Sequence, residues 1–176
     1  YFEMGIAEQN MASTAAGLAL AGKIPFYSTF AVFAFGRAYD QIRNTVCYSD
    51  LNVKIAPTHA GVSVGPDGGS HQMLEDIALM RSLPNMVVLA PGDAREAEQM
   101  AFAMARDERP NYVRLPREKT PLFVSSEAGF EIGRAYVLRE GADVALFGTG
   151  VMTYQLLLAA EKLAERGISA EVVHVP

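Results

Sequence analysis

The sequence has 176 residues, half of them hydrophobic, and a net charge of −5, which suits one medium domain, or one domain and part of another, with a sizeable core. The negative balance excludes a surface built for nucleic acid, and no apolar run reaches the roughly 20 residues that cross a bilayer. No secretory signal opens the chain, and the single cysteine, Cys47, excludes an internal disulfide and points to a reducing, cytoplasmic setting.

Short β-branched runs alternate with longer helical patterns along the chain. A helix is predicted over 5–21, a strand over Ile24–Ser28, a helix over 30–47, a strand over Asn52–Pro57 and a helix over 73–83. A strand over Met86–Pro91 and a helix over 93–106 follow. Asp93 is placed to cap that helix, and Glu96 stands three residues on, as in a capping box. After a strand over Asn111–Leu115, the stretch 116–140 is polar and turn-rich, a linker with room for a short hairpin. A strand over Asp143–Gly150, a helix over 151–166 closed by Gly167, and a strand over Ser169–Val175 complete the series. This alternation predicts an α/β fold with a mostly parallel sheet flanked by helices. The domains expected are 1–120, a linker over 121–140, and the opening of a second α/β domain over 141–176. With no initiator Met and a stop directly after a strand, the sequence reads as a piece of a longer chain.

Four places carry chemistry. Glu8 stands in the first turn of an Ala-rich helix, where an acid favours the helix dipole by about 0.3–1 kcal/mol; the sharper reading is a partly buried carboxylate aimed at a ligand. Phe30, Phe33, Phe35 and Tyr39 crowd one helix start, either as core or as a wall for a flat ligand. The loop "THAGVSVGPDGGSHQ" carries four glycines together with His59, Asp67 and His71. Polar groups on a glycine-rich loop after a parallel strand favour ligand binding, and the spacing is not specific for zinc, so no metal is assigned to this chain. In "RLPREK", Arg114 and Arg117 are either solvated charge or an anion clamp suited to phosphate oxygens. "GTG" at 148–150 reads as a tight strand-to-helix turn, and His174, inside an apolar strand, as structural.

Together, "GIAEQNMASTAAGLA", "STFAVFAFGRAYDQIR", "THAGVSVGPDGGSHQMLEDIALMRSLPNM" and "YVRLPRE" resemble the transketolase family of thiamine diphosphate enzymes in order and spacing. The resemblance covers Tyr1 to about Lys119 as a pyrimidine-binding domain that lacks its first strand and helix, followed by the start of a C-terminal domain. It implies a thiamine diphosphate-binding fold and transfer of a two-carbon ketol unit from a ketose phosphate to an aldose phosphate. Glu8 then bonds N1′ of the aminopyrimidine and drives formation of the cofactor's carbon nucleophile. Phe30 and Phe33, with Phe35 a weaker match, pack on that ring. His59 and His71 handle substrate protons, Asp67 bonds a substrate hydroxyl, and Arg117, with Arg114 second, holds the phosphate. The magnesium-binding diphosphate domain is absent from the sequence, so Mg²⁺ is expected on a partner domain or subunit, in a homodimer or heterotetramer. Two rivals remain. 1-Deoxy-D-xylulose-5-phosphate synthase shares several of these motifs, but an arginine is expected there in place of His59. A non-catalytic binding domain of the same fold would have no need of the complete set of Glu8, His59, Asp67, His71 and Arg117.

Overall fold

The computed structural model describes residues 1–125 and 129–176. By backbone contacts the chain divides into two units. The first comprises Tyr1–Leu89 and Met104–Glu118, the second Ala90–Ala103 and Lys119–Pro176. This division differs from a linear one, because residues 90–103 group with the C-terminal part of the chain.

The first unit begins with α1 (Glu8–Leu20), which buries Ala12, Ala15 and Ala16. Side chains this small, three and four residues apart, let a neighbour approach the backbone closely along one face. Strand β1 (Phe26–Tyr27) leads into α2 (Ala31–Gly36), and a π-helical stretch, Gln41–Cys47, follows. The single helix predicted over 30–47 is therefore interrupted after Gly36. The wider turns of the π-helical stretch bury Ile42, Val46 and Cys47 together, and it packs against α1. Strands β2 (Lys54–Ile55), β3 (Val87–Leu89) and β4 (Asn111–Val113) join β1 in a four-stranded sheet of order β1-β2-β4-β3, and every pairing in it is parallel. α3 (Asp76–Arg81) precedes β3. Parallel pairing brings the carboxyl ends of all four strands to one edge, which is where the candidate residues cluster.

A buried cation lies inside this unit. Lys54 is fully buried, and its ammonium donates to the carbonyls of Asp107 (2.6 Å) and Arg109 (2.8 Å) and to Oδ1 of Asn111 (2.7 Å). All three of its donors are satisfied, and they tie the turn before β4 to β2. Burial pulls the ammonium down to about 8, against the attraction of Asp107.

In the second unit, α4 (Ala94–Arg106) opens as the capping pattern predicts, with a variation. Asp93 accepts the backbone N–H groups of Arg95 and Glu96, both at 3.0 Å, while the Glu96 carboxylate accepts the N–H of Gly92 at 2.7 Å rather than that of Asp93 itself. The other Asp93 oxygen accepts the N–H groups of Phe123 and Val124. Strands β5 (Tyr136–Arg139), β6 (Val144–Gly148) and β7 (Ala170–His174) form a sheet of order β5-β7-β6, and α5 (Met152–Ala164) packs on it through Leu156, Leu157 and Ala160. A short hairpin is allowed for within 116–140, of which 126–128 lie outside the described residues; among the described ones β5 pairs antiparallel with the distant β7, whereas β6 pairs with β7 in parallel. His174 ends β7 in full burial. Its Nε2 bonds to Glu96 Oε2 at 2.8 Å and its Nδ1 to Thr153 Oγ1 at 2.7 Å. This histidine is fully occupied in tying β7, α4 and α5 together.

Buried titratable groups in the first unit set its alkaline behaviour. Burial raises the Cys47 thiol to about 12 from 9.0, and raises the hydroxyls of Tyr27 and Tyr112 above 10.0. For these acids the unfolded chain loses its proton first, so their stabilisation is complete below pH 9 and is lost as pH rises. Lys54 works in the opposite sense, because its unfolded form holds the proton longer between pH 8 and 10.5 and stability rises with pH across that window. The two effects oppose each other near pH 9–10 and decline follows above it. In urea unfolding across this range, Cys47→Ala is expected to convert the plateau into a rise from pH 8 to 10, followed by a fall; a curve parallel to wild type would contradict the assignment.

Candidate functional site

Glu8 is the first residue of α1 and is only 7% exposed. One Nη of Arg37 reaches both of its carboxylate oxygens, at 3.1 and 3.2 Å. The Arg37 guanidinium carbon also lies 4.2 Å from the centroid of the Phe33 ring. Glu8 borders two hollows. The larger, about 750 Å³, also meets Met11, Tyr27 and Thr29. The smaller, about 470 Å³, meets Asn10, Gly36 and Arg37. Neither is lined by His59 or His71.

The strand edge assembles the aromatic and imidazole rings. The segment after β1 and the segment after β2 continue side by side: Thr58 N–H donates to Thr29, and Ala31 N–H to Thr58. This brings Phe30, the residue before α2, against His59, with ring centroids 3.8 Å apart and planes 17° from parallel. Phe33, one turn along α2, stacks at 6.0 Å from Phe30. His71 meets both phenylalanines edge-on, at 6.2 and 5.2 Å. His59 adopts φ = 62°, a left-handed conformation uncommon outside glycine and a form of strain found at ligand sites. Its Nδ1 bonds to the Thr58 hydroxyl at 2.8 Å, and Nδ1 of His71 to the Ser70 hydroxyl at 2.9 Å. Each ring thus engages a neighbouring hydroxyl through Nδ1.

The loop carrying the histidines is closed at its base by paired hydrogen bonds between Gly61 and Met73, at 2.7 and 3.1 Å, and Ala60 N–H donates to Leu115. Two arginines lean on two of its glycines. A Cβ at Gly61 would stand 2.9 Å from Nη2 of Arg114, and one at Gly65 would stand 2.6 Å from Nη1 of Arg117. Both glycines have positive φ, so a larger residue would meet backbone strain and would have to push aside the guanidinium end of an arginine. Asp67 is exposed at the end of the 3₁₀ turn Gly65–Asp67.

The arginines differ in what holds them. Arg114 donates from Nε to Oδ2 of Asp76 at 2.8 Å, and the Tyr112 hydroxyl donates to the same oxygen at 2.8 Å. Asp76 is fully buried. Arg117 is 40% exposed and pairs with its neighbour Glu118 at 3.0 Å. Thus the structure gathers Phe30, Phe33, His59 and His71, connects Glu8 to Phe33 through Arg37, and leaves Arg117 accessible. Phe35 is placed elsewhere: it is buried in the core against Tyr39, with ring centroids 4.8 Å apart. Arg114 is committed to Asp76. Among the described residues no three His, Cys, Asp or Glu side chains are placed to share a metal ion.

Sequence reasoning passed over Arg37 and Asp76. Arg37 lies four residues after Phe33, a spacing that stacks side chains on a helical turn and was a usable signal. Asp76 reads locally as an ordinary acid at a helix start. Its partners lie 36 and 38 residues away, and nothing in the order of residues announces them.

The profile described as "Transketolase, pyrimidine binding domain" matches residues 1–121, and the profile described as "Transketolase, C-terminal domain" matches 133–176. A Methanocaldococcus jannaschii protein, provisionally named a transketolase C-terminal section, is 50% identical over 99% of this chain and 56% of its own length. A 1-deoxy-D-xylulose-5-phosphate synthase from Desulfotalea psychrophila is 40% identical over 99% of this chain and 27% of its own length. A solved structure described as a split gene transketolase in an inactive β4 tetramer superposes with a TM-score of 0.91 at 53% identity, over 98% of this chain and 56% of that one. The chain therefore spans about half the length of the Methanocaldococcus jannaschii protein and of that split-gene transketolase chain.

Asp76 is the buried anchor of the arginine segment, and removing one partner of a buried pair costs about 3–5 kcal/mol. Asp76→Ala is expected to lower unfolding free energy by about 3 kcal/mol in urea titration. A loss under about 1 kcal/mol, the range of exposed pairs, would show the network to be dispensable.

Proposed function

The chain belongs to the transketolase family, and on that premise we propose that it supplies the pyrimidine-binding half of a thiamine diphosphate site that transfers a two-carbon ketol unit from a ketose phosphate to an aldose phosphate. The observation that carries this reading is a buried carboxylate at a helix start, linked through one guanidinium to an aromatic wall. A carboxylate held out of water interacts strongly with a basic ring nitrogen, and a flat heterocycle suits the faces of Phe30 and Phe33. The donor set therefore fits the aminopyrimidine.

Thiamine diphosphate, when bound, supplies the carbon nucleophile and the electron sink for cleavage of the donor sugar. Glu8 holds or shares a proton at the ring's N1′. Phe30 and Phe33 orient the ring. His59 and His71 present Nε2 to substrate hydroxyls and move their protons. Asp67 accepts from a sugar hydroxyl. Arg117 grips the phosphate; its exposure and its seat beside Gly65 support it over Arg114, whose guanidinium already serves Asp76. Phe35, buried in the core, takes part only by supporting α2. The diphosphate and Mg²⁺ are assigned to a separate domain or subunit, in keeping with the split relative, and the full assembly is a homodimer or heterotetramer. His59 where the synthase is expected to carry an arginine favours the ketol transfer.

Glu8→Gln, assembled with a diphosphate-binding partner, thiamine diphosphate, magnesium and xylulose 5-phosphate, is expected to lose at least about 100-fold in kcat, the scale of one proton-transfer group. Full turnover by that variant would refute the assignment of Glu8. Arg117→Ala should raise KM for phosphorylated donors about tenfold or more while leaving kcat nearly intact, since a hydrogen bond to a charged group contributes about 1.5–3 kcal/mol. An unchanged KM would move the phosphate elsewhere.

A further inference from the structure

Arg37 links Glu8 to Phe33 in the reading above but is given no role of its own there, and it holds both surfaces that the reading reserves for the aminopyrimidine. Its Nη1 reaches the two oxygens of Glu8 at 3.1 and 3.2 Å, and its guanidinium carbon lies 4.2 Å from the Phe33 ring centroid. A guanidinium is flat, cationic and armed with N–H donors along its edge. In shape and charge it imitates a protonated aminopyrimidine, which would offer an N–H to the carboxylate and a face to the phenylalanine. The side chain is 49% exposed and Arg37 directly follows Gly36 at the end of α2, so it has solvent to retreat into. Glu8, by contrast, is 7% exposed and needs a cationic partner or donor in whatever state the protein adopts.

We propose that Arg37 is a stand-in for the cofactor ring: it neutralises Glu8 and covers Phe33 in the cofactor-free protein, and withdraws when the aminopyrimidine takes both surfaces. The proposal rests on the cofactor reading given above. Arg37 is then a competitor that keeps the site preformed and its buried carboxylate compensated, at the expense of apparent affinity. Only the fraction of molecules with Arg37 withdrawn is competent to bind.

The sign of one measurement tests this. The full-length protein, assembled with its diphosphate-binding domain or subunit and magnesium, is titrated with thiamine diphosphate by calorimetry. Arg37→Met keeps the apolar stem over Phe33 and removes the competing charge; Arg37→Ala removes both. Each variant is expected to bind about two- to fivefold more tightly than wild type, the scale of one half-exposed ion pair. Each is also expected to melt at a lower temperature than wild type without cofactor, because Glu8 loses its partner. Tighter binding in a less stable free protein is a pairing that a purely structural arginine would not produce. Equal or weaker binding by both variants, with normal binding by wild type, overturns the proposal and leaves the cofactor reading standing. If the wild-type assembly takes up no thiamine diphosphate, the cofactor reading falls, and the role of Arg37 with it.

Discussion

The arrangement depends first on the common direction of β1, β2, β4 and β3. Because every pair in that sheet is parallel, the segments leaving the strands emerge along one edge. Phe30 follows β1, His59 follows β2, and Arg114 and Arg117 follow β4, so residues up to 87 positions apart in the chain converge without any long excursion. An antiparallel neighbour would have sent one of these segments to the far side. Two further constraints refine the gathering. The paired hydrogen bonds of Gly61 and Met73 pin the loop at its base, and the buried carboxylate of Asp76 fixes Arg114. Since Arg117 is only three residues beyond Arg114, anchoring one limits where the other can reach.

The elements of this fold are visible in the sequence because short apolar runs alternate with longer helical stretches. The alternation also implies parallel pairing. What it fails to show is set by distance. β5 lies inside the stretch read as a linker and finds its partner in β7, more than 30 positions along the chain. The interruption near Gly36 and the π-helical turns after it depend on burying Ile42, Val46 and Cys47 together, a demand of the core rather than of local propensity. In the site, Glu8, Phe30, Phe33, His59 and His71 are visible as anomalies: an acid among alanines, rings crowding a turn, imidazoles on a glycine loop. Phe35 looks the same in sequence as Phe33, yet two residues along a helix turn a side chain to another face, and here that face is the core. Arg114 and Arg117 are likewise alike on paper and are separated by a partner 38 residues away.

The second unit handles a similar problem with different chemistry. There the interior carries Glu96, His174 and Thr153 in one chain of hydrogen bonds, with Gly92 completing the carboxylate's partners. Buried polar groups are stabilising only when their donors and acceptors are met, and this chain meets them between three elements. Its ring is enclosed and both nitrogens are engaged across three elements, whereas the Nδ1 atoms of His59 and His71 bond only to the hydroxyls of their sequence neighbours Thr58 and Ser70.

Cys47 closes the account in another way. It is the only sulfhydryl in the sequence, it has no accessible surface, and burial holds its proton firmly. Nucleophilic attack by sulfur requires the thiolate and an approach path. An alkylating or disulfide-exchange reagent can therefore modify this protein only during excursions that open the core around the π-helical stretch. The rate of single-site labelling reads the frequency of those openings directly, and the chain carries its own intrinsic reporter of breathing in the half that holds Glu8.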